Sequence, residues 1–346
     1  MTIDRRTLLA MGLSAPFAVS ATGRAGAQVD DLAAAAKSEG RLTIYTGGST
    51  LAPVIKAFND RFPGIDVTVV SAYSNVNDVK IDRQLRDHNV SADIVSFQTI
   101  QDFVRWNQAA ELLPYRFPDF ALFDPHYTDA SGAFVATSLF PLTYGYNSQL
   151  LSAPDVPRSA LDFLRPEFKG KAITCYPHDD DATLHLFYTL QKKYGWEFID
   201  RYMANAPAFV EGHLGVAKAI AAGKSLVTFD CSAHMALDLR DQGQSIEVAF
   251  SSVDPTPVFY NTSAILRDAR HPNAAKLFTG WVLSREQQAA AGTWSARRDV
   301  PPPVGFKPLS SYAVASDYRS LMVNVPLVEE LRRRFLAYTG PVVNRS

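Results

Sequence analysis

Leu42-Thr43-Ile44-Tyr45 is a short β-branched run, and Thr46-Gly47-Gly48-Ser49-Thr50 behind it has the composition of a turn. Leu51, Val54, Ile55, Phe58 and Phe62 then fall at i, i+3, i+4, i+7 and i+11, which is one face of an amphipathic helix. Ser49 or Thr50 is a natural N-cap, and Pro53 is tolerated in a first turn whose backbone donors have few intrahelical partners. Pro63-Gly64 stops the helix and Val67-Thr68-Val69-Val70 supplies the next strand. Strand, turn, helix, strand in about 30 residues is the unit of a parallel sheet covered by helices.

The unit recurs along the chain. Ala92-Asp93-Ile94-Val95-Ser96-Phe97 reads as a strand, with Ile100, Phe103 and Val104 opening the helix after it. Val135 to Phe140 and Thr143 to Tyr146 read as two extended stretches on either side of Pro141. A second series starts at Lys171: strand Ala172-Ile173-Thr174-Cys175, loop His178-Asp179-Asp180-Asp181, and a helix with Leu184, Phe187 and Tyr188 on one face. Helix Val216 to Ala222, strand Leu226-Val227-Thr228-Phe229 and a helix opening near Ser232 follow. Ile246 to Phe250 and Val258-Phe259-Tyr260 read as the return to the first series, and helices near 274–283 and 325–338 complete the chain. The expected fold class is α/β, with two doubly wound lobes. Residues 28–141 plus 254–346 form the first lobe with the C-terminal helices, and 142–253 the second.

Composition agrees with two cores. At 346 residues the chain exceeds what one simple core usually organises, and 47% hydrophobic against 20% charged residues is the profile of a folded protein. Lys plus Arg total 34 against 35 for Asp plus Glu, so charge recommends neither nucleic acid nor an anionic membrane as partner. At the N-terminus, Arg5-Arg6 precedes a short apolar stretch from Leu8 to Val19, and Ala25-Gly26-Ala27 has the form of a cleavage site. Residues 1–27 read as an export signal whose paired arginines resemble a twin-arginine leader. The apolar run is shorter than the ~20 residues that span a bilayer and contains Pro16. Removal of the leader leaves a mildly acidic chain expected in the periplasm. The two cysteines, Cys175 and Cys231, each close a strand; a disulfide and two small buried thiols both fit. Neither C-x-x-C nor H-E-x-x-H spacing occurs, and no cofactor or metal is expected.

Leu42 to Phe62, Ala92-Asp93-Ile94-Val95, Tyr144-Gly145-Tyr146-Asn147 and Val216 to Lys224 together resemble the family-1 extracellular solute-binding proteins. So do His271 to Phe278, Leu283 to Gln288 and Arg297 to Pro303. Within that family the chain looks most like the ferric-iron-type branch. The resemblance implies a type II periplasmic-binding-protein fold, with lobes joined by two crossing strands. It also implies a monomer that delivers a small-molecule ligand to the membrane permease of an ABC importer, with no nucleic-acid partner. One departure bears on the ligand. Iron-binding members commonly carry a tyrosine pair after the strand matching Leu226–Phe229, and this chain has Asp230-Cys231-Ser232-Ala233-His234 there. Ferric iron favours several anionic oxygens, for which Tyr45, Tyr73, Asp180, Asp230 and His234 are a conceivable set. Iron is therefore the second reading, and a small organic solute the first.

In open α/β sheets ligands lie beyond the carboxyl ends of the strands. That rule selects Tyr45, Gly47, Gly48, Ser49, Ser74, Gln98 and Thr99 in the first lobe, where glycines allow close approach, hydroxyls and amides donate, and helix starts favour an anion. Turning and capping are the plainer uses of the same residues. In the second lobe the rule selects Asp180, Ala182, Thr183, Asp230, Ser232 and His234. Of Asp179, Asp180 and Asp181, one caps a helix, one is solvated, and one joins Asp230 to attract a cationic group. Tyr144, at the crossing, stacks on the solute or sits in the core with its hydroxyl satisfied. An anionic end in one lobe and a cationic end in the other would suit a zwitterion, such as an amine-bearing phosphonate or carboxylate. Ser232, His234 and Asp230 resemble a hydrolytic set only superficially: Ser232 stands at an N-cap position, and no G-x-S-x-G elbow is present. An effector domain of a transcription regulator would need a helix-turn-helix where this chain has its leader.

Overall fold

The computed structural model describes residues 21–47 and 51–343. The leader through Ser20, together with Gly48, Ser49 and Thr50, lies outside the described residues. Helix α1 (Ala21–Glu39) runs through Ala25-Gly26-Ala27 and leads into β1 (Arg41–Gly47), α2 (Ala52–Arg61), β2 (Asp66–Ala72), α3 (Ser74–Arg86), β3 (Ile94–Phe97) and α4 (Ile100–Gln108). β1 pairs in parallel with β2 on one side and β3 on the other, as the alternating pattern requires. The stripe read from Leu51 to Phe62 is the buried face of α2. Phe58 is fully covered and meets Phe278 and Trp281 edge-on at 5.1 and 5.3 Å.

Next come β4 (Val135–Tyr146), β5 (Ile173–Cys175), α5 (Asp181–Ala204), β6 (Ala208–Val210), α6 (His213–Ala221), β7 (Val227–Ser232), α7 (Ala233–Asp241) and β8 (Glu247–Ala249). Gly195 interrupts α5 with φ +76°. β9 (Thr256–Ile265), α8 (Pro272–Val282), α9 (Arg285–Ala290), β10 (Val314–Ala315), α10 (Tyr318–Met322) and α11 (Val325–Thr339) follow. One hydrogen-bonded path runs β2-β1-β3-β9-β4-β7, with β8 on β4 and β10 on β9, while β5 and β6 form a separate parallel pair. Among the described residues no helix is long and apolar enough to cross a membrane.

Two strands carry the chain between its halves. β9 pairs antiparallel with β3 over Thr262–Ile265 and with β4 over Val258–Ser263. β4 changes partner at one step: Pro141 faces Val258 of β9, and Leu142 faces Ser232 of β7. The two stretches expected on either side of Pro141 are therefore one strand that runs through it. The proline sits where one ladder ends and the next begins, the place a strand can do without a donor. β7 likewise outruns its expected end at Phe229, because Cys231 and Ser232 pair with Thr143 and Leu142. Gly145 makes that possible, since a Cβ there would lie 2.8 Å from both Cβ and Sγ of Cys231. Cys175 and Cys231 are both free, buried thiols. The C-terminal helices, grouped with the first lobe on sequence, also hold the second: Phe335 of α11 meets Phe187 and Trp196 of α5 at 5.2 and 5.7 Å. Its apolar face finds cover there.

Candidate functional site

Helix starts meet beyond the carboxyl ends of β1 and β3. Ser74 opens α3, and its Oγ accepts a 3.3 Å hydrogen bond from the backbone N–H of Gln98. A Cβ at Gly47 would stand 2.2 Å from that Oγ, so the serine occupies the space that β1 leaves by ending in glycine. Thr99 is the N-cap of α4, yet its hydroxyl caps nothing; it is buried without a partner among the described residues. Gln101, two residues on, donates from Nε2 to Asp181 Oδ2 at 3.2 Å, and its own Oε1 is buried and unpaired among the described residues. Asp181 opens α5 and also receives Arg332 of α11 at 2.5 Å. Tyr318 of α10 donates to the Gln98 carbonyl at 3.1 Å. The first turns of α3, α4 and α5 are thus joined through side chains.

A second group lies under the start of α6. Asp180 caps α5, its Oδ1 accepting from Thr183 N at 2.9 Å, and its Oδ2 is 3.8 Å from His213 Nδ1. His213 Nε2 is 3.1 Å from Asp230 Oδ1. Asp230 has no exposed surface, and its Oδ2 accepts from Thr174 Oγ1 at 2.8 Å, Cys175 N at 2.8 Å and Thr183 Oγ1 at 3.0 Å. Burial alone would depress the His213 imidazolium, but the Asp180 and Asp230 carboxylates outweigh it and push the pKa up to about 9. Burial and then the charge of His213 push His234 down to about 4. His234 Nδ1 lies 2.9 Å from Ser232 Oγ, and its ring packs 4.4 Å from Phe140.

The structure therefore brings Gly47, Ser74, Gln98 and Thr99 together in one group. Asp180, Thr183 and Asp230 form another, with Ala182 buried between them in the first turn of α5. Ser232 and His234 form a third at the start of α7. Two predicted residues point elsewhere. Tyr45 directs its hydroxyl to Ser91 Oγ, 3.4 Å away and ahead of β3 rather than beyond it. Tyr144 is buried, with its hydroxyl donated to Asp254 at 2.5 Å. Asp230 was expected in a loop offering charge to the solute; it is a strand residue whose oxygens are taken up internally. Tyr73, the N-cap of α3, is half-exposed; of the iron set Asp180 and Asp230 meet on His213, while Tyr45 turns to Ser91. Gln101, Thr174 and Arg332 carried no signal in the sequence, because each acts through a residue at least 50 positions away.

The profile of the bacterial extracellular solute-binding proteins matches residues 43–289. The chain belongs to that family. This binding protein is accordingly a transport component, not an enzyme, and proteins of its kind deliver small molecules to ABC-transporter permeases. No curated protein sequence matches it. Among solved structures it is similar to iron-bound HitA from Pseudomonas aeruginosa, with TM-score 0.72 and 19% identity over 85% of this chain and 99% of that one. It is similar to AfuA from Actinobacillus pleuropneumoniae, solved with fructose-6-phosphate bound: TM-score 0.72 and 17% identity over 86% and 98%. The ferric binding protein from Campylobacter jejuni gives 0.67 and 18% over 85% and 99%. At such identities the likeness establishes the fold, the two-lobed type II periplasmic binding protein, and leaves the solute open.

Proposed function

We propose that this binding protein, exported to the periplasm by residues 1–27, captures a small organic anion and hands it to the permease of an ABC importer. The cleft lies between a lobe of residues 28–141 and 254–346 and a lobe of 142–253. The observation that carries this reading is the junction of α3, α4 and α5 through Ser74–Gln98 and Gln101–Asp181, with the Thr99 hydroxyl unpartnered among the described residues. Helix starts present free N–H groups and the positive end of the dipole, which suits phosphate, phosphonate or carboxylate. A zwitterion gains less support, because Asp230 is fully buried, its Oδ2 held by Thr174, Cys175 and Thr183 and its Oδ1 turned to His213 rather than to an amine in the cleft.

Thermal-shift screening of the mature protein tests it, since a ligand bound only by the folded state raises the midpoint with its concentration over Kd. Sugar phosphates, phosphonates and carboxylates should raise the midpoint, and neutral polyols should not. A shift confined to ferric salts, with a coloured protein that bleaches on adding a chelator, would replace the organic anion by iron.

A further inference from the structure

Three segments far apart in sequence bring a thiol, an imidazole and a carboxylate to one point inside the second lobe. Cys175 closes β5, His213 opens α6 and Asp230 lies in β7; one ligand atom from each falls within 4.8 Å of the others, and all three residues are buried. Bonds of about 2.0–2.3 Å to a tetrahedral metal place its ligand atoms roughly 3.3–3.8 Å apart, so small side-chain adjustments close the site. From this geometry we infer that Cys175, His213 and Asp230 form a site for a divalent cation of the zinc class, which ties β5, α6 and β7 together beneath the solute cleft.

The surroundings orient the ligands as a metal site needs. Asp230 Oδ2 is held by Thr174 Oγ1 and Cys175 N, both at 2.8 Å, and this turns Oδ1 toward His213 Nε2. Asp180 Oδ2 stands 3.8 Å from His213 Nδ1, on the side that favours a proton there and leaves Nε2 for the metal. The imidazole is packed nearly parallel to Phe259, with ring centres 5.5 Å apart. Thr183 Oγ1, 3.4 Å from His213 Nε2, lines the remaining side. A mixed sulfur, nitrogen and oxygen set suits zinc or cobalt(II) and not ferric iron, which takes hard oxygen donors. Binding displaces the thiol proton of Cys175 and one proton of the His213 imidazolium. A dication thus replaces two protons, and the buried charge stays the same. Asp180, the N-cap of α5, and Thr183 in its first turn flank this site, so it adjoins the proposed anion site, but its three ligands Cys175, His213 and Asp230 are not among the residues that carry the solute reading.

The test is titration of the reduced mature protein with cobalt(II). The expected result is a thiolate-to-cobalt charge-transfer band together with strong tetrahedral visible absorption, saturating at one equivalent and displaced by zinc. Cys175→Ser should abolish the charge-transfer band, and Cys231→Ser, which removes the other buried thiol, should keep it. No band in the wild-type protein, or a band that survives Cys175→Ser, overturns the inference. Should Cys175→Ser fail to fold, zinc-edge X-ray absorption of the wild-type protein decides: sulfur in the coordination shell supports the site, and a shell of nitrogen and oxygen alone overturns it.

Discussion

The hydroxyl of Tyr144 donates to Asp254 Oδ2 at 2.5 Å, which ties the crossing strand β4 to the segment that leads into β9. The same carboxylate accepts from Ala160 N at 2.6 Å, Lys193 Nζ at 2.6 Å and Tyr194 Oη at 2.5 Å, and it is buried. Asp254→Ala would leave two phenols and an amide without acceptors. An unmade buried hydrogen bond costs about 1–3 kcal/mol, and several are lost at once here, while Lys193, whose side chain is partly exposed, can turn to solvent. The expected loss is therefore about 3–5 kcal/mol in urea denaturation, with Asp254→Asn losing less because it keeps one acceptor oxygen. A loss below about 1 kcal/mol would show that solvent replaces these contacts.

Asp254 also sets an acid limit. Burial alone would raise its carboxyl, but the bonds from Lys193, Tyr144, Tyr194 and Ala160 outweigh that and hold it below the usual carboxylate range. A folded pKa lying under the unfolded one contributes stability that is present above the unfolded value of about 4 and disappears as pH falls through the folded one. Denaturation midpoints measured from pH 6 downward should therefore decline more steeply below about pH 4 in the wild-type protein than in Asp254→Asn. Parallel curves would remove the carboxylate from the account.

At the proposed anion site, Gly47→Ala should act on binding more than on folding. The added methyl meets Ser74 Oγ, a side chain able to rotate, so the fold absorbs it while the Ser74–Gln98 contact breaks. Calorimetry with the identified solute should show weaker binding by about tenfold, the equivalent of one hydrogen bond near 1.4 kcal/mol, and Ser74→Ala should reproduce it. Unchanged affinity in both variants would place the solute away from α3.

α11 reports on a different interface. Phe335 is fully buried against Phe187, and truncating such a side chain typically costs about 3–5 kcal/mol. Phe335→Ala should lose that amount in urea denaturation. Protease should also cut near the C-terminus sooner, since the helix loses its anchor on α5. Faster cleavage with no loss of stability would mean that α11 docks without supporting the second lobe.

How much of this the sequence shows depends on the distance over which each interaction acts. The β1 to α2 unit is local: the spacing from Leu51 to Phe62 encodes a helix face, and the structure buries Phe58 from that stripe. Asp180 as a cap is local too, a carboxylate three residues ahead of the N–H it accepts from. The crossing at Pro141 is not, because whether a proline breaks a strand depends on which neighbour would have needed its N–H. Asp230 is the clearest case. As part of Asp230-Cys231-Ser232-Ala233-His234 it reads as a loop residue, and only the pairing of its neighbours Cys231 and Ser232 with Thr143 and Leu142 of β4, about 90 positions away, makes it part of a strand with an inward carboxylate. Gln101, Arg332 and Thr174 are ordinary surface-type residues until the fold sets them against Asp181 and Asp230.

Thr99 separates a binding role from a structural one. Its hydroxyl is buried and unpartnered among the described residues, at the start of α4 where a capping bond is expected. A buried polar group without a partner costs free energy in the empty protein, so Thr99→Val, which keeps the shape and removes the oxygen, should leave stability unchanged or raise it by up to about 1 kcal/mol. If the hydroxyl is kept for the solute, the same variant should weaken anion binding by about tenfold, because the ligand loses a donor that nothing else replaces. The two effects have opposite signs and are read on one purified variant, by urea denaturation without ligand and by calorimetry with it. Lower stability with undiminished affinity would make Thr99 a cap after all, and the anion would then have to be held by backbone N–H groups alone.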